Sequence, residues 1–299
     1  MNLKMNISSN LRHVTRASLN ILTPIFLRIF PIQLLWQRND PSDQEFLKRQ
    51  EMNKEALERY EYSLFSQNGE DGIIRYLFSE IGVSSKIFLE FGFGVTQNNS
   101  LRLILKEGWG GVLIDGLAES VTAFNRAIQK TEIRNVKAFQ QFLDLKNLRS
   151  TILNSGLPER IDLLSIDVDG NDYWFWEDIS YLDPRVVVIE YNASLGPKLS
   201  LVVPYDPLFA YHEKHLSGFY HGASLMALVK LADKKGYALV GCDSKGANAF
   251  FVRRDCLSPS LIEVLPVTAY RSNARRSKKG LSSEAQFGII KNMPYINID

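Results

Sequence analysis

Residues 86–94 constrain the fold of this chain more than any other stretch. Residues 87–90 read as a buried parallel strand that ends in the carboxylate of Glu90, and Gly92 and Gly94 follow at alternate positions. A strand that stops at Gly-x-Gly lets the backbone turn sharply and lets a ligand approach the main chain. A second apolar run ends in Asp115, roughly twenty residues later, which is the spacing of a carboxylate that binds ribose hydroxyls. These residues predict a nucleotide-binding α/β sheet.

The residue at position 97 indicates which nucleotide is bound. A dinucleotide site needs a third small residue where this chain has Gln97. A bulky side chain there opposes close packing of helix on strand and a pyrophosphate at the helix N-terminus. An adenosyl ligand without a pyrophosphate has no such need. S-adenosylmethionine is therefore predicted ahead of a nicotinamide or flavin dinucleotide, and ahead of a fold that binds no nucleotide.

The bulk composition narrows the class of protein. Of the 299 residues, 45% are hydrophobic, which is ordinary for a soluble globular protein and allows a full core. The net charge of +2 gives no reason to expect a nucleic-acid partner. Cys242 and Cys256 have no metal-ligand spacing and cannot build a disulfide framework, so a reducing cytoplasm is predicted.

Residues 1–60 are predicted to be a helical arm and linker. The apolar run 17–36 contains Pro24, Arg28 and Pro31, which argue against a plain membrane-spanning helix. No small-x-small cleavage site follows it, so a removable signal peptide is not predicted. Two interpretations stay open. The arm docks on the domain or on a second subunit of a homo-oligomer, or it is an amphipathic anchor that makes the protein peripheral to a membrane surface.

Residues 61–255 alternate between strand-like and helical apolar patterns. Such alternation gives a parallel sheet with helices on both faces, and two final strands joined by a short turn form an antiparallel hairpin. The predicted fold is therefore α/β, with a doubly wound, mostly parallel, Rossmann-like seven-stranded sheet and a C-terminal antiparallel hairpin. The predicted strands are residues 87–90, 109–115, 135–139, 161–167, 185–191, 237–242 and 247–253.

Two segments are predicted to reach the carboxyl ends of these strands. Residues 192–224 are long, irregular and rich in proline and aromatic residues, which is typical of a lid. Before the first strand, Asn68 and Asp71 resemble a capping arrangement for the helix that follows. Gln67 and Glu70 in the same segment are candidate cofactor-binding residues, because this segment can fold over the ligand-binding edge of the sheet.

Acidic and amide side chains follow the fourth and fifth predicted strands. Asp167, Asp169 and Asn192 are the favoured ligands for a divalent ion such as Mg²⁺ or Mn²⁺, with Glu190 as the alternative. Such an ion would clamp two substrate hydroxyls and lower the pKa of the one that reacts. In the competing interpretation no metal binds, Asp167 holds an ammonium group of the cofactor, and Asp169 caps the following helix.

His221 is the candidate general base. It stands in an aromatic, glycine-containing stretch that enters a helix after the predicted lid, where a histidine can take a proton from a substrate hydroxyl. A lone histidine is more often structural than catalytic, and Asp167 is the second candidate for the catalytic group.

Three motifs together resemble the class I S-adenosylmethionine-dependent methyltransferases, and more narrowly the FkbM-type group, which includes O-methyltransferases of natural products and glycans. The motifs are Ser-Gln-Asn-Gly-Glu-Asp at 66–71, Phe-Leu-Glu-Phe-Gly at 88–92 and Ile-Asp-Val-Asp-Gly at 166–170. The resemblance covers about residues 60–255. The position of Asp169 is usually Glu in that group, so the chain departs conservatively there.

The resemblance implies a function and a set of cofactor residues. It implies an O-methyltransferase that acts on a hydroxyl of a sugar, nucleotide-sugar or glycan. The cofactor residues it implies are Glu90, Gly92, Gly94 and Asp115, with Asp144 near the adenine. The alternatives are a non-catalytic scaffold with the same fold and a methyltransferase for another small molecule.

Residues 256–299 are predicted to be a C-terminal tail. Its basic run is interpreted as a solvated loop or as a contact for an anionic substrate, since guanidinium groups suit bidentate phosphate contacts. The run comprises Arg271, Arg275, Arg276, Lys278 and Lys279.

Overall fold

The computed structural model describes residues 36–42, 44–45, 56–273 and 280–299. Its strands are β1 (Ile87–Phe91), β2 (Gly110–Asp115), β3 (Val136–Gln140), β4 (Arg160–Ile166), β5 (Asp183–Glu190), β6 (Leu201–Val202), β7 (Tyr237–Cys242), β8 (Asn248–Arg253) and β9 (Ile296–Asn297). Its helices are α1 (Glu70–Ile81), α2 (Leu101–Glu107), α3 (Ala118–Gln129), α4 (Leu148–Asn154), α5 (Asp172–Asp178), α6 (Tyr211–Lys214), α7 (Leu225–Lys235), α8 (Pro266–Ala269) and α9 (Ser283–Ile290).

Seven strands form one sheet in the order β3-β2-β1-β4-β5-β8-β7. Strands β1 to β5 pair in parallel, and β8 runs antiparallel to both β5 and β7. This confirms the predicted α/β, doubly wound, mostly parallel sheet with a C-terminal hairpin. Because the strands of a doubly wound sheet end in a crevice at their carboxyl edge, the fold brings the acidic strand ends to one place.

The strands are apolar on both faces because helices cover both faces. In β1, Phe88 packs into a core with Leu77 of α1 and Phe124 of α3. Leu89, the next residue, faces a second core that includes Trp176 of α5. Alternation of this kind fixes the register of a strand, since a slip by one residue would exchange the two faces. The strand ends are therefore held rigidly.

The start of α1 differs from the predicted cap. Asp71 Oδ2 accepts the N–H groups of Leu64, Phe65 and Ser66, and the Asp71 N–H donates back to Ser66 Oγ at 3.0 Å. The prediction that Asn68 caps this helix is wrong, because its side chain instead donates to the Glu70 carboxylate at 2.8 Å.

The described part of the N-terminal arm lies on the domain. The Trp36 indole N–H donates to the Val95 carbonyl at 3.4 Å, and its ring lies 5.7 Å from that of Phe124. The 3₁₀ helix Leu57–Tyr60 packs beside β7 and contributes Leu57 to the core. Residues 17–35 of the predicted arm lie outside the described residues. Within the described residues, no helix is both long enough and apolar enough to cross a membrane.

The described C-terminal residues also pack on the domain. Strand β9 pairs with β6, and α9 lies against the 3₁₀ helix Ala193–Leu195 at the start of the predicted lid. Ile290 and Ile298 are buried. Of the basic run, Arg271 forms an ion pair with Glu58, and residues 275–279 lie outside the described residues.

Candidate functional site

The carboxyl ends of β1, β2, β4 and β5 lie side by side. Phe91 pairs with Ile114 on one side and with Ile166 on the other, and Ile166 pairs with Ile189. The acids at or just after these four strand ends therefore line one edge of the sheet. They are Glu90, Asp115, Asp167 and Glu190.

Glu90 occupies the turn that leads into α2. Its carboxylate is buried and accepts the N–H of Asn99 at 2.8 Å on Oε1 and the N–H of Ser100 at 2.9 Å on Oε2. Burial is the main cause that raises the pKa of Glu90 to about 7. The charge of Asp167 adds to this rise, and the hydrogen bonds from Ser100 and Asn99 oppose it. The N–H groups just before α2 are thus taken by a carboxylate, which disfavours a pyrophosphate there by occupancy and by charge.

The loop after β1 needs both of its glycines. Gly92 has a left-handed φ of 68°, which suits glycine, and its N–H donates to the Ile114 carbonyl at 2.9 Å. A Cβ on Gly94 would lie 2.8 Å from the Gln97 carbonyl oxygen. That carbonyl accepts the Gly94 N–H at 3.1 Å, so Gln97 closes the loop through its backbone. The conformation and packing of this loop therefore account for both glycines.

Asp115 connects this loop to the end of β2. Its Oδ2 accepts the Phe93 N–H at 3.1 Å and its Oδ1 accepts the Leu117 N–H at 2.7 Å. The carboxylate is buried beside the glycine loop, with 8% of the residue exposed. The structure thus holds Asp115 at the strand end from which the sequence predicts a contact to ribose.

Asp167, Asp169 and Glu190 form what we call the acid cluster. One carboxylate oxygen from each lies within 4.8 Å of the others, and all three side chains are half-buried. The buried Asp172 shapes the turn that carries two of them, accepting the Val168 N–H at 3.0 Å and the Gly170 N–H at 2.9 Å. Burial, followed by the charge of Asp167, raises the pKa of Asp172 to about 7. Three carboxylates this close favour a cation between them.

Asn192 is placed differently from its neighbour Glu190. Its Oδ1 accepts the Ser194 N–H at 2.9 Å, and its Nδ2 donates to the carbonyls of Phe219 and His221 at 2.7 and 2.8 Å. The structure therefore brings the alternative ligand, Glu190, to the acid cluster and commits Asn192 to lid backbone.

Glu70, Gln67 and Asp144 lie around the same edge. Glu70 is buried and accepts the Asn248 side-chain N–H at 2.7 Å, which joins α1 to the start of β8. Gln67 lies half-buried in the preceding loop. Asp144 accepts the N–H groups of Lys146 and Asn147 at 2.9 and 2.8 Å and so begins the turn into α4. Whether these three side chains contact a cofactor stays a prediction.

The predicted lid, residues 192–224, contacts the turn that carries two members of the acid cluster. A Cβ on Gly170 would overlap the Phe209 ring, so the lid rests directly on the turn after β4. Asn171 Nδ2 donates to the Asp206 carbonyl at 2.8 Å and fastens the same contact. Asn171 and Phe209 were not predicted as lid contacts, and their only signal in the sequence is that both stand in segments predicted to reach this edge.

His221 lies on the buried side of the lid. Its residue is 2% exposed, its Nδ1 is 3.3 Å from the Phe219 carbonyl oxygen, and its ring lies 6.2 Å from that of Tyr211. This combination of burial and lid position is compatible with both the catalytic and the structural interpretation.

A cavity of about 580 Å³ lies at the opposite, amino edge of the sheet. The arginines that line it are paired with carboxylates: Arg253 with Asp183 and Asp255, and Arg185 with Asp162. None of the predicted site residues is among the described residues that line it. Its chemistry is that of a salt-bridge network, separate from the acid cluster.

No protein-family model matches the chain, and no curated protein matches it. Solved structures that match include the N-terminal domain of EvdMO1 with SAH bound, at 13% identity, covering 72% of this chain and 98% of that one, with a TM-score of 0.39. Magnesium protoporphyrin IX methyltransferase from Synechocystis PCC 6803 with bound SAH matches at 14% identity over 81% of this chain and 99% of that one, with a TM-score of 0.41. An O-methyltransferase family protein from Burkholderia thailandensis matches at 12% identity over 85% and 70%, with a TM-score of 0.37.

Proposed function

We propose that this chain is an S-adenosylmethionine-dependent O-methyltransferase that acts on a hydroxyl of a sugar or glycan. The observation that carries the proposal is Glu90, a buried carboxylate that takes the N–H groups in front of α2. A pyrophosphate is disfavoured there, whereas a cofactor with a sulfonium and an ammonium group suits an edge lined by Glu90, Asp115 and the acid cluster. Asp115 binds the ribose, and Gly92 and Gly94 let the cofactor approach the main chain.

S-adenosylmethionine supplies, when bound, a methyl group on positively charged sulfur. When no ion occupies the acid cluster, Asp167 holds its ammonium group. Asp144 lies near the adenine, and Gln67 and Glu70 complete the wall of the cofactor site. His221 takes the proton of the acceptor hydroxyl, and the lid excludes water from the acceptor. The aromatic side chains Tyr205, Phe209 and Tyr211 of the lid suit the apolar face of a sugar ring.

The proposal is tested by calorimetry of the purified chain with S-adenosylmethionine, S-adenosylhomocysteine and NAD. We expect saturable binding of the two sulfur compounds and none of NAD. Binding of NAD alone would overturn the assignment. Binding of the sulfur compounds without methyl transfer to any of a panel of sugars and nucleotide-sugars would overturn the sugar acceptor and favour the scaffold or a methyltransferase for another small molecule.

A divalent ion in the acid cluster is the second part of the proposal. The three donors are all carboxylate oxygens, the chemistry that Mg²⁺ and Mn²⁺ prefer, and their separation fits a shared ion. The ion would align two neighbouring hydroxyls of the acceptor. Manganese titration followed by electron paramagnetic resonance should show one bound ion that is lost in Asp169→Asn. Full activity in EDTA together with no bound manganese would leave the acid cluster to the ammonium group instead.

A further inference from the structure

We propose that Asn192 is a positioning residue that fixes the tautomer of His221. The inference deepens the proposed function, since it takes His221 as the base. It departs from the sequence-based expectation that Asn192 is a metal ligand.

Both N–H bonds of the Asn192 amide are used on the loop that carries His221. Nδ2 donates to the Phe219 carbonyl at 2.7 Å and to the His221 carbonyl at 2.8 Å. Oδ1 accepts the Ser194 N–H at 2.9 Å, and the Asn192 backbone N–H donates to the Ala223 carbonyl at 2.7 Å. Asn192 is 1% exposed. A single buried amide thus clamps two carbonyls that are two residues apart.

One of those carbonyls also binds the His221 ring. Nδ1 of His221 lies 3.3 Å from the Phe219 oxygen, the atom that Asn192 Nδ2 holds. A carbonyl oxygen only accepts, so Nδ1 carries the hydrogen, and a neutral ring then has its lone pair on Nε2. Asn192 fixes the position of the Phe219 carbonyl, and this carbonyl fixes the tautomer of His221. Nε2 becomes the ring nitrogen that takes a proton.

The position of Asn192 in the chain ties this clamp to the acid cluster. Asn192 lies two residues after Glu190, and β5 holds Glu190 in the sheet. The amide of Asn192 therefore connects the loop that carries His221 directly to the end of β5. An amide is required, because an aspartate of the same shape would set a carboxylate oxygen against two carbonyl oxygens in a buried space.

Nuclear magnetic resonance with ¹⁵N-labelled histidine tests the inference without an acceptor. The chain has four histidines, and His221→Gln assigns the signal. At a pH where the ring is neutral we expect the Nδ1–H tautomer in the wild type, and the Nε2–H tautomer or a mixture in Asn192→Ala and Asn192→Asp. The control is Ser194→Ala. It removes the buried hydrogen bond from Ser194 to Gln286 at 2.7 Å and leaves the carbonyls of Phe219 and His221 unchanged.

Kinetics add a second readout. Both Asn192 variants should lose on the order of 10²-fold in kcat, because a misplaced base is no longer aligned with the acceptor hydroxyl. Their Kd for S-adenosylmethionine should stay within about twofold of the wild-type value. Ser194→Ala should keep the wild-type kcat. An unchanged His221 tautomer in folded Asn192→Ala overturns the inference. Failure of the wild type to bind S-adenosylmethionine would instead overturn the proposed function, and the tautomer result would stand apart from it.

Discussion

Glu90 is an acid that the fold keeps out of water, and its stability contribution depends on pH. Burial raises its pKa to about 7 from an ordinary 4.5. Between those values the folded chain binds a proton at Glu90 more readily than the unfolded chain does. The contribution of Glu90 to the free energy of unfolding is therefore fully present below pH 4.5 and is lost as the pH rises through 7. Cofactor binding should show the opposite trend.

A cationic cofactor should bind more tightly when Glu90 is ionised. We expect the affinity for S-adenosylmethionine to rise between about pH 6 and pH 8, by at most about tenfold per pH unit. Calorimetry over that range measures it. S-adenosylhomocysteine keeps the ammonium group but lacks the sulfonium charge, so its affinity should change less, and Glu90→Gln should flatten part of the trend. Equal slopes for both compounds would contradict a role for the sulfonium charge.

Asp115→Ala should weaken cofactor binding by about 1.5–3 kcal/mol, because a charge-assisted pair of hydrogen bonds to ribose is lost. Calorimetry provides the measurement. The cofactor affinity of Asp115→Asn should lie between those of Asp115→Ala and the wild type, since one carbonyl oxygen remains. Asp178→Ala is the control, because that exposed acid ends α5 at the opposite edge of the sheet. Unchanged affinity in Asp115→Ala would exclude this placement of the ribose.

At this scale the sequence predicted which residues reach the edge better than it predicted what each one does there. Glu190 and Asn192 both follow β5, and only the structure separates them, because their side chains enter different surroundings. The prediction of the α1 cap was wrong for a similar reason. Asp71 is paired with Ser66, and the choice between Ser66 and Asn68 depends on the path of residues 64–66.

Among the elements, the central strands were predicted to within a residue or two, since apolar runs buried on both faces carry a strong signal. The short elements β6 and α6 within the lid were not predicted. They span two and four residues, too few for any periodicity to show. Tertiary contacts hold them, as where Val202 bridges to Ala223.

The contact between the lid and the turn after β4 gives a prediction for Gly170→Ala. The added methyl group would overlap the Phe209 ring, so the lid must move away from the acid cluster. We expect a higher KM for the acceptor and a lower kcat, with cofactor affinity within about threefold, since the proposed contacts of Gly92, Gly94 and Asp115 follow β1 and β2 and not the turn after β4.

Two variants sharpen that test. Gly288→Ala in α9 is the control, because nothing lies within 4 Å of a Cβ there. Phe209→Ala removes the ring, so Gly170→Ala should have a smaller effect in that background. Additive effects of the two substitutions would contradict the contact.

For the whole molecule, the predicted boundaries at residues 60 and 255 do not coincide with gaps in the packing. Trp36 and Leu57 on one side, and Leu261 and Ile290 on the other, are buried in cores shared with the domain. A sequence pattern places a domain boundary where the composition changes. Such a change does not show whether a segment beyond the boundary packs against the domain. The membrane-surface and subunit interpretations of residues 17–35 stay predictions.

Deletion of residues 1–35 tests those interpretations while keeping Trp36. We expect S-adenosylmethionine affinity to stay within about twofold, because Trp36 and Asp40 still hold the described end of the arm on the domain. Vesicle flotation and light scattering of the full and shortened chains then report membrane binding and mass. Loss of cofactor affinity with unchanged flotation and mass would show that the arm belongs to the core.

The pairing of the lid with distant parts of the chain has a consequence for the order of folding. Ser194 bonds to Gln286 and Ser200 to Ile298, contacts that span 92 and 98 residues. The glycine loop, by contrast, is closed by Asp115 only 22 residues from Phe93. Closing long loops costs more chain entropy and is slower. After dilution from denaturant, binding of S-adenosylmethionine should therefore return before methyl transfer to an acceptor.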